Sequence, residues 1–321
     1  MKIPGLLMVL LLLSSCASTP QSRLIHDNFP AGLPLAQELT ETPFYPQTEY
    51  QCGPAALATM LGFQGVETSI DELSRQIYLP ARKGSLQIEI QSTARRHAML
   101  AYQLEPQLQA LLNEIAAGNP VLVLQNLSFE WYPKWHYAVV IGYDMENRDI
   151  ILRSGTTRRW ITPFEVFERT WQRADFWSLV ILPAGRIPQT AQPLQYLKTA
   201  FAFEQTGHPN LAHTAYQAAT QQWPQNPDSW LLLGNSAFQQ QDWPLAITAF
   251  QSATRLNPAS TDSWNNLAYA LHANGCVTQA QNALQCGLKV TAEDKNLLDS
   301  QLELSASPAM QRETGCPLIH C

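Results

Sequence analysis

Charge is scarce in this 321-residue chain: Asp, Glu, Lys and Arg make up 14% of it and leave a formal net charge of −6. With no basic excess there is no stripe of cations to neutralise phosphates, so nucleic acid is not an expected partner. Long apolar runs are missing as well: the N-terminal one, inside MKIPGLLMVLLLLSSC, is too short to span a bilayer as a mature helix. Cysteine is sparse, with six in all. Apolar content is not: 45% of the residues are hydrophobic, enough for one sizeable core and a second module.

The N-terminus has one Lys, a run of Leu, Met and Val, and then small residues before Cys16, the layout of a secretory signal peptide. The end of that run, Leu13-Ser14-Ser15-Cys16, resembles a bacterial lipobox. The resemblance implies that residues 1–15 are a leader and that Cys16 is acylated and becomes the first residue of the mature protein. Acyl chains contribute about 0.8 kcal/mol per buried CH₂, so several on one cysteine anchor it firmly to a membrane. Ala17 rather than Asp after the cysteine resembles lipoproteins sent on to the outer membrane. The implied location is the bacterial cell envelope, lipid-anchored and facing the periplasm, with residues 16–39 as a tether.

Setting Cys16 aside leaves Cys52, Cys276, Cys286, Cys316 and Cys321, an odd number for an oxidising compartment. The last four lie near the C-terminus and can pair among themselves in three ways. Cys52 is left over. An unpaired thiol in such a compartment is a liability unless it has chemistry to perform, although a buried inert cysteine is a common alternative.

The neighbourhood of Cys52 favours chemistry. Ala55, Ala56, Leu57, Met60 and Leu61 follow at helical spacings, Pro54 suits a first helical turn, and Gly62 and Gly65 close the segment. Cys52 therefore stands at a helix N-terminus, where free amides and the helix dipole favour the thiolate. A thiolate nucleophile also needs a proton shuttle and an oxyanion site. The best-placed histidine is His136, which opens the apolar run Tyr137 to Tyr143; a turn at Met145-Glu146-Asn147 leads to a second strand, Asp149 to Arg153.

Gln47, Cys52-Gly53-Pro54-Ala55 and the His136 strand with its hairpin resemble the papain-like cysteine peptidases of the bacteriocin-processing, double-glycine leader family. The resemblance covers about residues 40–183. It implies an α+β domain, an antiparallel sheet packed on the Cys-bearing helix, that cleaves a peptide bond through an acyl-enzyme without a cofactor or metal. Cys52 would be the nucleophile and His136 the general base, then acid; Gln47 would donate to the oxyanion beside the Cys52 N–H. That family places its glutamine six residues before the cysteine, whereas Gln47 is five before. It also closes the second strand with Asp-Pro, where this chain has Ser154-Gly155. A serine hydroxyl can orient the imidazole but adds no negative charge, which predicts a less stabilised imidazolium and a slower enzyme. Asp144 and Asp149 fall at the hairpin turn, where turn chemistry is the expected role.

Elsewhere in this segment Ser69 and Glu72 form a capping-box pattern. Helical periodicity runs through residues 86–99 and 108–118, and PVLVLQNL and DFWSLVILP read as buried strands. Trp131, Tyr132 and Trp135 cluster just before His136, either lining a cleft or packing as an aromatic corner. His97 beside Arg95 and Arg96 reads as a solvated face.

A Pro-rich linker, residues 184–192, separates this segment from a repeat. Trp230 and Trp264 are 34 residues apart, as are Pro224 and Pro258, and Ala212, Ala246 and Ala280. The period and its residues resemble the tetratricopeptide repeat, an all-α solenoid, with units at 193–226, 227–260 and 261–294. The resemblance implies a concave surface for a protein partner. In the tail, residues 295–321, Cys316 and Cys321 can bridge to Cys276 and Cys286 and cap the solenoid; a zinc site using His320 matches no standard spacing. The sequence thus points to a lipid-anchored cysteine peptidase with a protein-binding repeat module acting on a peptide or protein substrate. Its rivals are a thiol acyl-transfer amidase or transpeptidase and a catalytically weak scaffold.

Overall fold

A computed structural model describes residues 18–28, 30–48, 50–306 and 315–321. Cys16 and the leader lie outside these residues. The chain divides into two compact units, residues 1–182 with 188–190, and 183–187 with 191–321.

The first unit is α+β. Its order is α1 (Pro20–Asp27), β1 (Ala36–Glu38), α2 (Cys52–Phe63), α3 (Ile70–Ile77), α4 (Gln87–Arg96), β2 (Met99–Gln103), α5 (Leu108–Ala116), β3 (Val121–Asn126), β4 (Trp135–Asp144), β5 (Asp149–Ser154), β6 (Thr157–Pro163), α6 (Phe164–Gln172) and β7 (Ser178–Pro183). The strands form one sheet in the order β2-β7-β3-β4-β5-β6, with β1 added on β4. β4 is long enough to hold two neighbours along one edge. Its first half pairs antiparallel with β3 (Gln125 opposite His136), and its second half pairs with β1 (Glu38 opposite Gly142). Gly142 is required there, because a Cβ would lie 2.6 Å from the Gln37 carbonyl oxygen.

The core packs α2 against the sheet, with Leu57, Met60 and Leu61 meeting Leu122, Val139 and Ile181. All nine residues from Gly53 to Leu61 are buried, so α2 runs through the middle of the core. The Ser69 hydroxyl accepts the Glu72 N–H at 3.2 Å and starts α3, the role its sequence pattern implies.

Residues 20–38, expected as part of a tether, belong to this unit instead. Ile25 and Ser22 are buried, and the fully buried Glu168 of α6 accepts hydrogen bonds from the Gln21 N–H, the Ser22 N–H and the Ser22 hydroxyl. Three donors on one buried carboxylate offset its desolvation.

The second unit is a stack of helix pairs: α7 (Pro193–Gln205) with α8 (Pro209–Gln222), α9 (Pro227–Gln239) with α10 (Trp243–Leu256), and α11 (Thr261–Ala273) with α12 (Val277–Val290). The 34-residue period has a visible physical basis. The Trp230 Nε1–H donates to the Pro224 carbonyl at 2.9 Å, and one repeat later Trp264 donates to Pro258 at the same distance. A Cβ at Gly234 would lie 2.5 Å from the Phe250 ring, so these two positions allow the two helices of a pair to approach closely.

Residues 295–321 are expected from the sequence as a tail, but α13 (Lys295–Ala306) buries Leu297 and Leu304 against the third pair. Disulfides join Cys276 to Cys316 and Cys286 to Cys321. All four thiols that a zinc site at His320 would need are thereby consumed. The disulfides span 40 and 35 residues, and loops of that length are worth up to about 4 kcal/mol each. Reduction is therefore expected to lower the unfolding temperature of the repeat unit, read by circular dichroism with and without dithiothreitol.

Candidate active site

The site is built on the N-terminus of α2 and the start of β4. Cys52 is the first residue of α2, forms no disulfide and is partly buried. Gly53 follows because nothing larger fits: a Cβ there would meet the Ser85 hydroxyl at 2.6 Å and the Ser85 Cβ at 2.8 Å. The amides of Tyr137, Gly53 and Cys52 itself lie near enough to the sulfur to favour its thiolate. Since Tyr137 directly follows His136, the nearness of its amide sets the thiol beside the peptide that carries the histidine.

His136 is buried, and its Nε2 lies 2.8 Å from the Ser154 hydroxyl. The register explains the contact. Val139 faces Arg153 and Val140 faces Leu152, so Ser154 stands opposite Ala138 and diagonal to His136 on the same sheet face, within reach of a long side chain. Among the described residues, the hydrogen bond of the imidazole runs to Ser154 and not to Cys52. Asp144 is not a member of the site. Its carboxylate accepts the Asn147 N–H and side-chain amide, which hold it below the usual carboxylate range at the hairpin turn.

Gln47 lines a crevice with Ser154, Gly155, Thr59 and Tyr137, and its N–H donates to the Gly155 carbonyl at 3.3 Å. Its side chain makes no hydrogen bond to Cys52 or His136. Gln51 is turned away, with its Oε1 accepting the Thr48 hydroxyl.

The charge state differs from the sequence expectation. Burial pushes the Cys52 thiol above its ordinary pKa, outweighing the three amides that favour the thiolate. Burial, aided by Lys134, pushes His136 down to about 4. At neutral pH the pair is thiol and imidazole rather than an ion pair. Alkylation of Cys52 by iodoacetamide is therefore expected to rise about tenfold per pH unit from neutrality into the alkaline range, because only the thiolate reacts. A rate that levels off below pH 7 would restore the ionised thiol.

Arg153 and the Tyr137 amide escaped the sequence reading. The buried Arg153 guanidinium donates to the carbonyls of Thr40, Thr42 and Arg158. It fastens the segment leading to Cys52 onto β5, one residue from Ser154. The signal was a lone arginine in the apolar strand Ile150-Ile151-Leu152-Arg153. Trp131, Tyr132 and Trp135, by contrast, are exposed and do not line this crevice. No cluster of metal-binding side chains occurs among the described residues.

Residues 39–178 match the family model described as the Peptidase_C39 like family, and residues 197–261 and 231–284 match the tetratricopeptide repeat. No curated protein matches the chain. Among solved structures, a C39-like peptidase from Bacillus anthracis is similar at 18% identity and TM-score 0.40, over 46% of this chain and 97% of that one. The second tetratricopeptide domain of human RPAP3, solved with an HSP70 peptide, is similar at 13% identity and TM-score 0.34, over 36% of this chain and 100% of that one. The first tetratricopeptide domain of Spaghetti (RPAP3), solved with an HSP90 peptide, is similar at 16% identity and TM-score 0.34, over 35% of this chain and 90% of that one. Residues 39–178 are thus similar to the Peptidase_C39 like family, and residues matching the tetratricopeptide repeat follow them.

Proposed function

We propose that the protein is a lipid-anchored cysteine peptidase of the bacterial envelope, facing the periplasm, which cleaves a peptide or protein held in part by its repeats. The observation that carries this is the free Cys52 at a helix N-terminus, near the amide that follows a histidine whose ring is held by Ser154.

The chemistry starts from the neutral pair. With Nε2–H donating to the Ser154 hydroxyl, Nδ1 is the basic nitrogen. As the sulfur attacks a peptide carbonyl, the thiol proton passes to the imidazole, and the negative charge moves to the carbonyl oxygen. The Cys52 N–H and the Gln47 side chain are the donors for that oxyanion. The imidazolium then protonates the departing amine, leaving a thioester on Cys52. Water activated by the same imidazole hydrolyses it and regenerates the thiol.

The test is intact-mass spectrometry of the protein incubated with a peptide library and quenched in acid. A peptidyl adduct that lies on Cys52 and turns over in water supports the peptidase. Transfer of the adduct to an added amine in preference to water assigns an acyl-transferase. The neutral pair and the missing carboxylate favour one other reading, a docking protein whose thiol site is silent, and absence of any adduct assigns it.

A further inference from the structure

The β3–β4 loop, residues 127–134, carries an apolar tip that the peptidase reading does not use. Phe129, Trp131 and Tyr132 are 62%, 81% and 70% exposed. Phe129 and Trp131 stack at 5.6 Å, and Tyr132 leans on Trp131 at 6.1 Å. The loop is braced: Asn126 Oδ1 accepts the Ser128 and Lys134 N–H groups, its Nδ2 donates to the Phe129 carbonyl, and Arg173 donates to the Ser128 carbonyl at 2.8 Å. A fold that holds three aromatic rings out in water by four hydrogen bonds has a surface to meet there.

The position of the chain's N-terminus indicates which surface. Arg173 caps α6, the helix whose Glu168 binds Ser22 of α1. Five helical residues span about 7.5 Å of axis, so α1 and the loop are held by one short stretch of helix. Pro20, the first residue of α1, is four residues beyond Cys16, a reach of about 14 Å at full extension. An acyl chain on Cys16 thus keeps this end of the unit close to a bilayer. Trp and Tyr are the side chains that favour the headgroup layer. The loop's two charges, Glu130 and Lys134, cancel, which suits zwitterionic lipid.

We propose that the Phe129–Tyr132 tip inserts into the headgroup layer of the phospholipid bilayer and holds the Cys52 site against the membrane surface. The proximity argument rests on the lipid-anchor reading of Cys16. Because the loop runs directly into Trp135 and His136, a substrate would meet the nucleophile at the lipid surface.

The full chain, mixed with phosphatidylcholine vesicles brominated near the headgroup, tests the proposal. Tryptophan emission should be quenched, Trp131→Ser should remove part of that quenching, and Trp160→Phe, a change to another exposed tryptophan, should leave the Trp131 contribution in place. The mass of the N-terminal peptide separately reports acylation of Cys16. Quenching lost on Trp131→Ser supports the loop whether or not Cys16 is acylated. Acylated, vesicle-bound protein without a Trp131 contribution overturns the loop and leaves the anchor standing. A lower kcat/KM of Trp131→Ser on a soluble peptide in lipid-free buffer, again without quenching, gives the tip to the substrate and overturns the proposal.

Discussion

Replacing Cys52 with alanine is expected to lower peptide cleavage by about 10⁴-fold or more, because removal of a nucleophile disables the whole catalytic unit. The fold should tolerate the change. Cys52 is only partly buried, forms no disulfide and begins its helix rather than lying inside it. Loss of activity with an unchanged unfolding temperature therefore reports chemistry, and the pair of measurements is needed because α2 is the centre of the core. One outcome would reassign the nucleophile. The Ser154 hydroxyl, not the Cys52 sulfur, is the group hydrogen-bonded to His136. If Cys52→Ala still cleaves peptide at the wild-type rate, the serine is the attacking group and the cysteine a bystander.

The elements that the sequence reveals are those whose causes are local. The start of α2 is written in Cys52-Gly-Pro-Ala-Ala-Leu, and the stacked pairs in a 34-residue recurrence whose tryptophans make identical bonds. Elements with distant causes stay hidden. The helix α1 buries little of its own surface and depends on Glu168, 146 residues from Ser22. The three-residue β1 exists because Gly142 lets it approach β4. The charge state of the site is hidden for the same reason. A helix N-terminus is visible in the sequence and argues for a thiolate, but the desolvation that outweighs it comes from the packing of remote elements. By contrast, α13 was within reach of the sequence: Leu297 and Leu304 recur at a helical interval and both are buried.

Ser154→Asp is expected to raise kcat by about tenfold to a thousandfold, making this the rare substitution that improves an active site. The imidazolium formed during attack has no negative neighbour in the native site, and burial holds the ring's pKa down to about 4. A carboxylate in hydrogen-bonding distance of Nε2 favours the charged ring by about one to three pKa units, and the transition state gains in proportion. The same carboxylate moves the pH dependence. In the native chain the thiol must lose its proton against a weak base, so activity climbs with pH. With an aspartate the histidine pKa rises and the thiolate is stabilised by its charged neighbour, so the climb shifts to lower pH and flattens near neutrality. Ser154→Ala should move the other way, lowering kcat with little change in KM, because it removes the hold on the ring without touching the substrate. A nucleophilic Ser154 predicts the opposite of the first result, since Ser154→Asp would then abolish cleavage. The two variants, measured as pH–rate profiles beside Cys52→Ala, therefore decide whether the hydroxyl positions the imidazole or attacks the substrate itself.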